Sequence, residues 1–240
     1  MRKPIPVCGH GPGIASAVAR RFANEGHSVA IVGRTRDKLL AAEAELEGEG
    51  RKAAAFVADL ADASAMGRLV ADVRERLGPI DVLHWNAPAV GAGDLTKDDF
   101  TELRTAFDVS VTSLVATVQH VLVDLKTAGD GSVLVTNGAV ALTDPKLDAL
   151  AVEQSFMGAA IAKTAQHKVV TLLSKKLAPE GVYVGEVVVA GIVRGSTYDT
   201  GGGGFLSAEE VATHFWRLHH ECPAAFVAYL GVGLAGRGRP

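Results

Sequence analysis

The sequence predicts one α/β domain, a doubly wound parallel sheet with helices on both faces. Short apolar runs alternate with helix-length segments through almost all of the 240 residues. A glycine-dense turn joins the first apolar run to the first helix, and no linker, repeat or shift in composition divides the chain. Parallel strands need crossover helices, and this alternation supplies them. Hydrophobic residues make up 48% and aromatics 5%, a balance that suits small-residue helices packed tightly on a sheet.

Ile5-Pro6-Val7-Cys8 is the first strand, and an amphipathic helix follows the turn through Val18, Arg21 and Phe22. A strand at 29–32 precedes a polar helix over about 36–46. The third strand, 53–57, leads to a helix over about 64–77 that Gly78-Pro79 closes. Strand 80–84 comes next, then one or two helices within 97–126. A fifth strand at 132–136 precedes a long helix over 158–177, which ends at Ala178-Pro179-Glu180-Gly181. Strand 182–189, a helix around 209–219 and a last strand at 225–230 complete the alternation. Gly201 to Gly204 form the one low-complexity patch and read as a mobile loop or hinge.

The formal charge of −3 carries no basic surplus, which argues against a nucleic-acid partner. No apolar run reaches bilayer length, and Met1-Arg2-Lys3-Pro4 leads into a strand instead of a signal peptide, so no membrane partner is expected. Cys8 and Cys222 are too few for a disulfide framework or a metal cluster, which points to a reduced, cytoplasmic setting and no metal. Cys8 is expected to be a small buried filler.

The turn reads Gly9-His10-Gly11-Pro12-Gly13-Ile14. Its glycines let the backbone bend sharply and approach a ligand, while free N–H groups at the helix start face an anion. This is a cradle for a pyrophosphate.

These residues resemble the short-chain dehydrogenase/reductase family across nearly the whole chain. Cys8 to Ala15 lines up with its Thr-Gly-x-x-x-Gly-Ile-Gly turn, and Asp59-Leu60 with its adenine-side Asp and aliphatic. Trp85-Asn86-Ala87-Pro88, after Asp81-Val82-Leu83, is similar to its Asn-Asn-Ala-Gly. Leu177-Ala178-Pro179-Glu180-Gly181 matches the stretch before its sixth strand. The resemblance implies a Rossmann-type sheet in a single domain over 1–240 and a pyridine nucleotide held by Gly9, Gly11, Pro12, Gly13, Ile14, Asp59, Leu60, Asn86 and Ala87. It also implies a small-molecule substrate and a homodimer or homotetramer through the helices at about 100–126 and 155–177. Val115, Val118, Leu122 and Leu125 have the spacing for that interface, and equally for the core.

The second strand ends in Gly33-Arg34-Thr35, where an acid would bond the ribose 2′-OH. Arg34 can instead bond a 2′-phosphate, so NADP(H) is expected over NAD(H), with Thr35 beside it. On the nicotinamide side the family's Pro-Gly is replaced by Val189-Ala190, with Gly191 next. Ala190 and Ile192 are the expected contacts there, and Arg194, Ser196 and Thr197 compete for the usual Thr position.

The family's Asn, Ser, Tyr and Lys fall by spacing on Ser110, Gly138, Ala159 and Lys163. Only the lysine survives, and Gly138 and Ala159 stand several residues further apart than usual. The extra segment, about 143–154, belongs to a remodelled substrate region expected at about 139–156 and 190–207. Lys163 would hold the nicotinamide ribose. His167, one turn along the same helix face, and Tyr198 are substitute proton donors, and Ser110, Asn137 and Ser155 could bond a substrate. Asp144 and Lys146 flank Pro145 in the inserted loop and read as solvated. The sequence around His214, His219 and His220 shows no convincing carboxylate or thiolate partner at metal-ligand spacing, so no metal site is expected there.

Three functions follow from the altered pattern. One is an NADPH-dependent reductase of an iminium- or hemiaminal-type electrophile that needs no proton on oxygen, in natural-product biosynthesis or detoxification. Another is a carbonyl reductase or alcohol dehydrogenase with a relocated donor. The third is a non-catalytic NADP(H)-binding sensor or scaffold.

Overall fold

The computed structural model describes residues 2–89, 91–224 and 227–231. Seven strands form one parallel sheet in the order β3-β2-β1-β4-β5-β6-β7. They are β1 (Arg2–Cys8), β2 (His27–Gly33), β3 (Ala53–Val57), β4 (Val82–Trp85), β5 (Ser132–Gly138), β6 (Tyr183–Ala190) and β7 (Val227–Gly231). Residues 225 and 226 of the expected last strand lie outside the described residues. The order reverses between β1 and β4. In such sheets the crevice beyond the carboxyl ends at that point is where ligands bind.

Helices α1 (Ile14–Asn24), α2 (Arg36–Gly48) and α8 (Ala208–Glu221) cover one face, with Val18, Phe22, Leu39, Phe215 and Trp216 in its core. Helices α3 (Met66–Leu77), α5 (Ser113–Ala128) and α7 (Met157–Leu177) cover the other, around Trp85, Leu114, Val118, Val121 and Val170. Every residue of β2 is buried, as an inner strand covered on both faces requires. Val118 and Leu125 are spent in this core. The apolar side chains α5 and α7 leave exposed are Val123, Ile161 and Leu172.

Two expectations change. Helix α4 (Phe100–Phe107) runs through one π turn, Asp108–Thr112, into α5. Together they make one helix of 29 residues that contains an 18-residue stretch of mean hydropathy 1.4, long and apolar enough by length and composition to cross a bilayer. Its apolar stripe packs in the core beside β4, so a run broken by polar residues in sequence becomes continuous along a helix face.

The inserted segment is a helix, α6 (Pro145–Glu153), where a solvated loop is expected. The Asp144 side chain accepts from the Lys146 N–H at 3.0 Å, and Pro145 occupies the first turn. An N-capping Asp before Pro is a helix start, and that signal was present in the sequence. After α6, Ser155 enters a left-handed conformation, φ 52°, and its carbonyl packs against Gly93. The Ala92 carbonyl then accepts from the Gly158 N–H at 2.7 Å. The segment after β4 and the start of α7 are thereby joined.

Candidate active site

The turn between β1 and α1 is built against two strands. The Gly9 and His10 amides donate to the Val32 carbonyl at 3.1 and 2.8 Å, and the Ser16 hydroxyl donates to the Gly11 carbonyl at 2.9 Å. Gly9, at φ +87°, lies so near β4's end that a Cβ would meet the Ala87 backbone at 2.8 Å. Asn86 closes the same contact, its Nδ2 donating to the Gly9 carbonyl at 3.2 Å. A Cβ on Gly11 would meet nothing within 4 Å, and the α1 N-terminus has no side-chain cap. The turn therefore offers open space and unsatisfied amides, which fit a pyrophosphate.

Where the adenine is expected, Leu60 is buried and the Asp59 carboxylate accepts from the Ala61 N–H at 3.0 Å. Arg34 and Thr35 are exposed at the end of β2. Arg34 makes no ion pair among the described residues, the nearby Asp37 included. A cavity of about 440 Å³ opens beyond them at the sheet edge, against Arg36, Phe56, Asp59, Arg68 and Arg76. It lies against Asp59 and not against the lysine described next. Cys8 is fully buried, and burial pushes its thiol up to about 12, so it is inert filler.

Lys163 projects from α7 into the protein, 9% exposed. Its Nζ donates to the Ala87 carbonyl and to Gln166 Oε1, each at 3.0 Å. Burial lowers the ammonium to about 8, against the opposing pull of Glu186. Gln166 in turn donates through Nε2 to the Thr136 carbonyl at 3.0 Å. Lys163, Ala87 and Gly9 therefore form one contiguous contact from the helix to the cradle.

Behind the lysine lies a second polar layer. Asn137 Nδ2 donates to Glu186 Oε2 at 3.1 Å and to the Lys163 carbonyl at 3.2 Å, and its Oδ1 accepts from the Gly138 N–H. Its amide is thus spent on the framework. His167 Nδ1 pairs with Glu186 Oε1, and that hydrogen bond raises the imidazole above its ordinary range. The Ser110 hydroxyl is buried in the π turn with no hydrogen-bond partner among the described residues. Ala159 lies on α7 one turn before Lys163, and Gly138 ends β5.

The loop after β6 covers the cradle. A Cβ on Gly13 would lie 3.0 Å from Ser196 Cβ. Asp199 fastens the loop, its carboxylate accepting from the Gly195 and Gly204 amides at 2.9 and 2.8 Å, which holds it below the usual carboxylate range. The glycine run is pinned at this end. Ala190 ends β6, Ile192 follows it 44% exposed, and Tyr198 stands 60% exposed. His219 is buried and bonded to the Ser132 hydroxyl at 2.8 Å, and no group of metal-binding side chains occurs among the described residues.

Sequence reading missed Gln166, Glu186 and His84. Glu186 carried a signal, a lone acid within the buried run Val184 to Val189. Gln166 carried a weaker one, the i, i+3 spacing from Lys163.

A parallel sheet of this order, with a glycine turn entering α1 at the switch point, defines a Rossmann-type domain. Residues 3–199 match the family model described as short chain dehydrogenase, and the chain belongs to that family. Oxidoreductase asL5 of Sarocladium schorii is 33% identical over 141 residues, 59% of this chain and 55% of that protein. Glucose 1-dehydrogenase of Gluconobacter oxydans is 29% identical over 196 residues, 80% and 70% of the two chains. The chain thus spans about half the length of the first of these curated relatives. Among solved structures, L-sorbose reductase of Gluconobacter frateurii, complexed with NADPH and L-sorbose, superposes with a TM-score of 0.83 at 19% identity, over 96% and 95% of the chains. So does an NADPH-bound short chain oxidoreductase of Pseudomonas aeruginosa containing an atypical catalytic center, with a TM-score of 0.83 at 19% identity over 98% and 97%. At that identity the likeness speaks for the fold.

Proposed function

We propose that this chain is an NADPH-dependent reductase of a small molecule, acting on an iminium- or hemiaminal-derived electrophile. The observation that carries the reading is the pairing of a buried, cradle-linked Lys163 with Ala159 one turn before it and Gly138 at the β5 end. Neither of those two residues can give or take a proton, and together they stand for an altered family site. General acid assistance is typically worth ~10²–10⁴ in rate. A carbonyl needs a proton on its developing alkoxide, whereas an iminium carbon that accepts hydride becomes a neutral amine without one.

Bound NADPH would supply the hydride. The Gly11, Gly13 and Ile14 amides would hold its pyrophosphate, with Pro12 shaping the turn, Asp59 and Leu60 would hold its adenine, and Asn86 and Ala87 would form the wall between them. Lys163, with one N–H left after its two bonds, would hold the nicotinamide ribose. Exposed, unpaired Arg34 favours a 2′-phosphate, and with it NADP(H) over NAD(H). The segment 139–156, with α6 in it, and the loop 190–207 would form the substrate wall, with Ala190 and Ile192 on its floor. Homodimerisation through α5 and α7 fits their exposed Val123, Ile161 and Leu172.

NADPH oxidation is to be followed with cyclic imines, hemiaminals and ketones. Turnover of imines without turnover of ketones is expected, and the reverse overturns the reading. The second reading, ketone reduction with a relocated donor, rests on the exposed phenol of Tyr198. Under it, Tyr198→Phe removes ketone turnover. His167 is the weaker donor, because its Nδ1 is committed to Glu186.

A further inference from the structure

We propose that Gln166 is a positioning residue for Lys163, holding its ammonium between the ends of β4 and β5 where no neighbouring phenol does so. This rests on the reading that NADPH binds beside Lys163. Gln166 is fully buried, and both ends of its amide are engaged. Its oxygen accepts from Lys163 Nζ and its nitrogen donates to the Thr136 carbonyl, each at 3.0 Å. β4 pairs with β5 only as far as Val135, so Thr136 is the first β5 residue beyond that pairing. Gln166 bridges this gap from α7.

The second acceptor, the Ala87 carbonyl, belongs to the residue whose backbone touches Gly9. Two fixed acceptors leave an ammonium one N–H to offer, and so aim it. Both acceptors are neutral. The ammonium is thus oriented without being neutralised, and its proton stays sensitive to its surroundings. The charged groups packed near it are Glu186 on β6 and, paired with that acid, His167 on α7 itself. His84 on β4 bonds the Thr136 hydroxyl and is held neutral by burial. A glutamate at 166 would give the ammonium a charged partner, and a leucine would leave it with one acceptor fewer.

The test uses two readouts on the full chain: NADPH dissociation constants from about pH 6 to 10, and direct NMR titration of the Lys163 side chain without cofactor, assigned with Lys163→Met. In the wild type, NADPH affinity should fall as the pH rises through Lys163's own midpoint. Gln166→Glu should raise that midpoint by about one unit in both readouts. Gln166→Leu should lower it and weaken NADPH binding about tenfold at neutral pH. A Gln166→Glu midpoint equal to that of the wild type overturns the proposal, and this variant decides the matter if the leucine variant does not fold. A wild type that binds no NADPH defeats the functional reading alone, because the NMR midpoint still reports on the contact.

Discussion

Glu186 and His167 meet across the β6–α7 interface, a carboxylate with no exposed surface against an imidazole with about a quarter of its side chain in solvent. Glu186 Oε2 also accepts from Asn137 at 3.1 Å, so one acid ties α7, β5 and β6 together. Removing one partner of a buried pair leaves the other charge uncompensated. His167→Ala should therefore cost about 3 kcal/mol at neutral pH, read by denaturant unfolding. Adding Glu186→Leu should recover part of it. The bond raises His167 above its unfolded value, so its contribution is complete below that value and is lost as pH rises through the raised one. A variant whose loss is the same on both sides of that range would refute the pairing.

Gly9 is the tightest point of the cradle. An alanine there brings a Cβ to 2.8 Å from the Ala87 backbone at a φ of +87°. Gly9→Ala should destabilise the fold by about 1–3 kcal/mol and abolish NADPH binding, since Ala87 also holds Lys163. Unchanged melting and unchanged NADPH titration would show that the turn can relax.

Under the proposed NADP(H) preference, Arg34 is the handle for the 2′-phosphate. Arg34→Ala should weaken NADPH binding by about 1.5–3 kcal/mol, or roughly 10- to 150-fold, while NADH affinity stays level. The ratio of the two dissociation constants, measured by tryptophan fluorescence, checks this. Equal loss for both nucleotides would assign Arg34 a different role.

His84 should make the protein acid-labile. Its ring is fully buried, bonded among the described residues only through Nε2 to the Thr136 hydroxyl at 3.2 Å, and packed edge-on against Phe215. Burial pushes it down to about 3. The unfolded chain takes up the proton near 6.5, so stability is complete above that value and falls toward the depressed one. The loss should approach about 2 kcal/mol by pH 5, measured by unfolding at pH 7 and pH 5. His84→Phe should flatten that slope, and an unaltered slope would exonerate the ring.

Much of this architecture was legible in residue order. Apolar runs gave the strands, and Gly78, Pro179 and Gly181 marked helix ends, because local backbone chemistry decides those points. The cradle was legible for the same reason, glycine being read through its own backbone. Helix α6 is announced by its own cap, Asp144-Pro145, and the family spacing, which treats the segment as an insertion, carries no sign of it. The polar layer under Lys163 was invisible for a deeper reason. Gln166, Asn137 and Glu186 lie on three elements far apart in sequence, and only the packing of α7 on the sheet unites them. Asn137 stands out in the sequence as a polar residue, but its direction does not, because a strand residue's side depends on register.

Ser196 resting on Gly13 couples two places separated by most of the chain's length. A methyl group added at the turn has to displace the covering segment, and that segment is anchored through Asp199. Substitutions at 13 and 199 should accordingly be non-additive, each altering what the other costs. The rate at which a nucleotide enters or leaves would then answer to a carboxylate that never touches it.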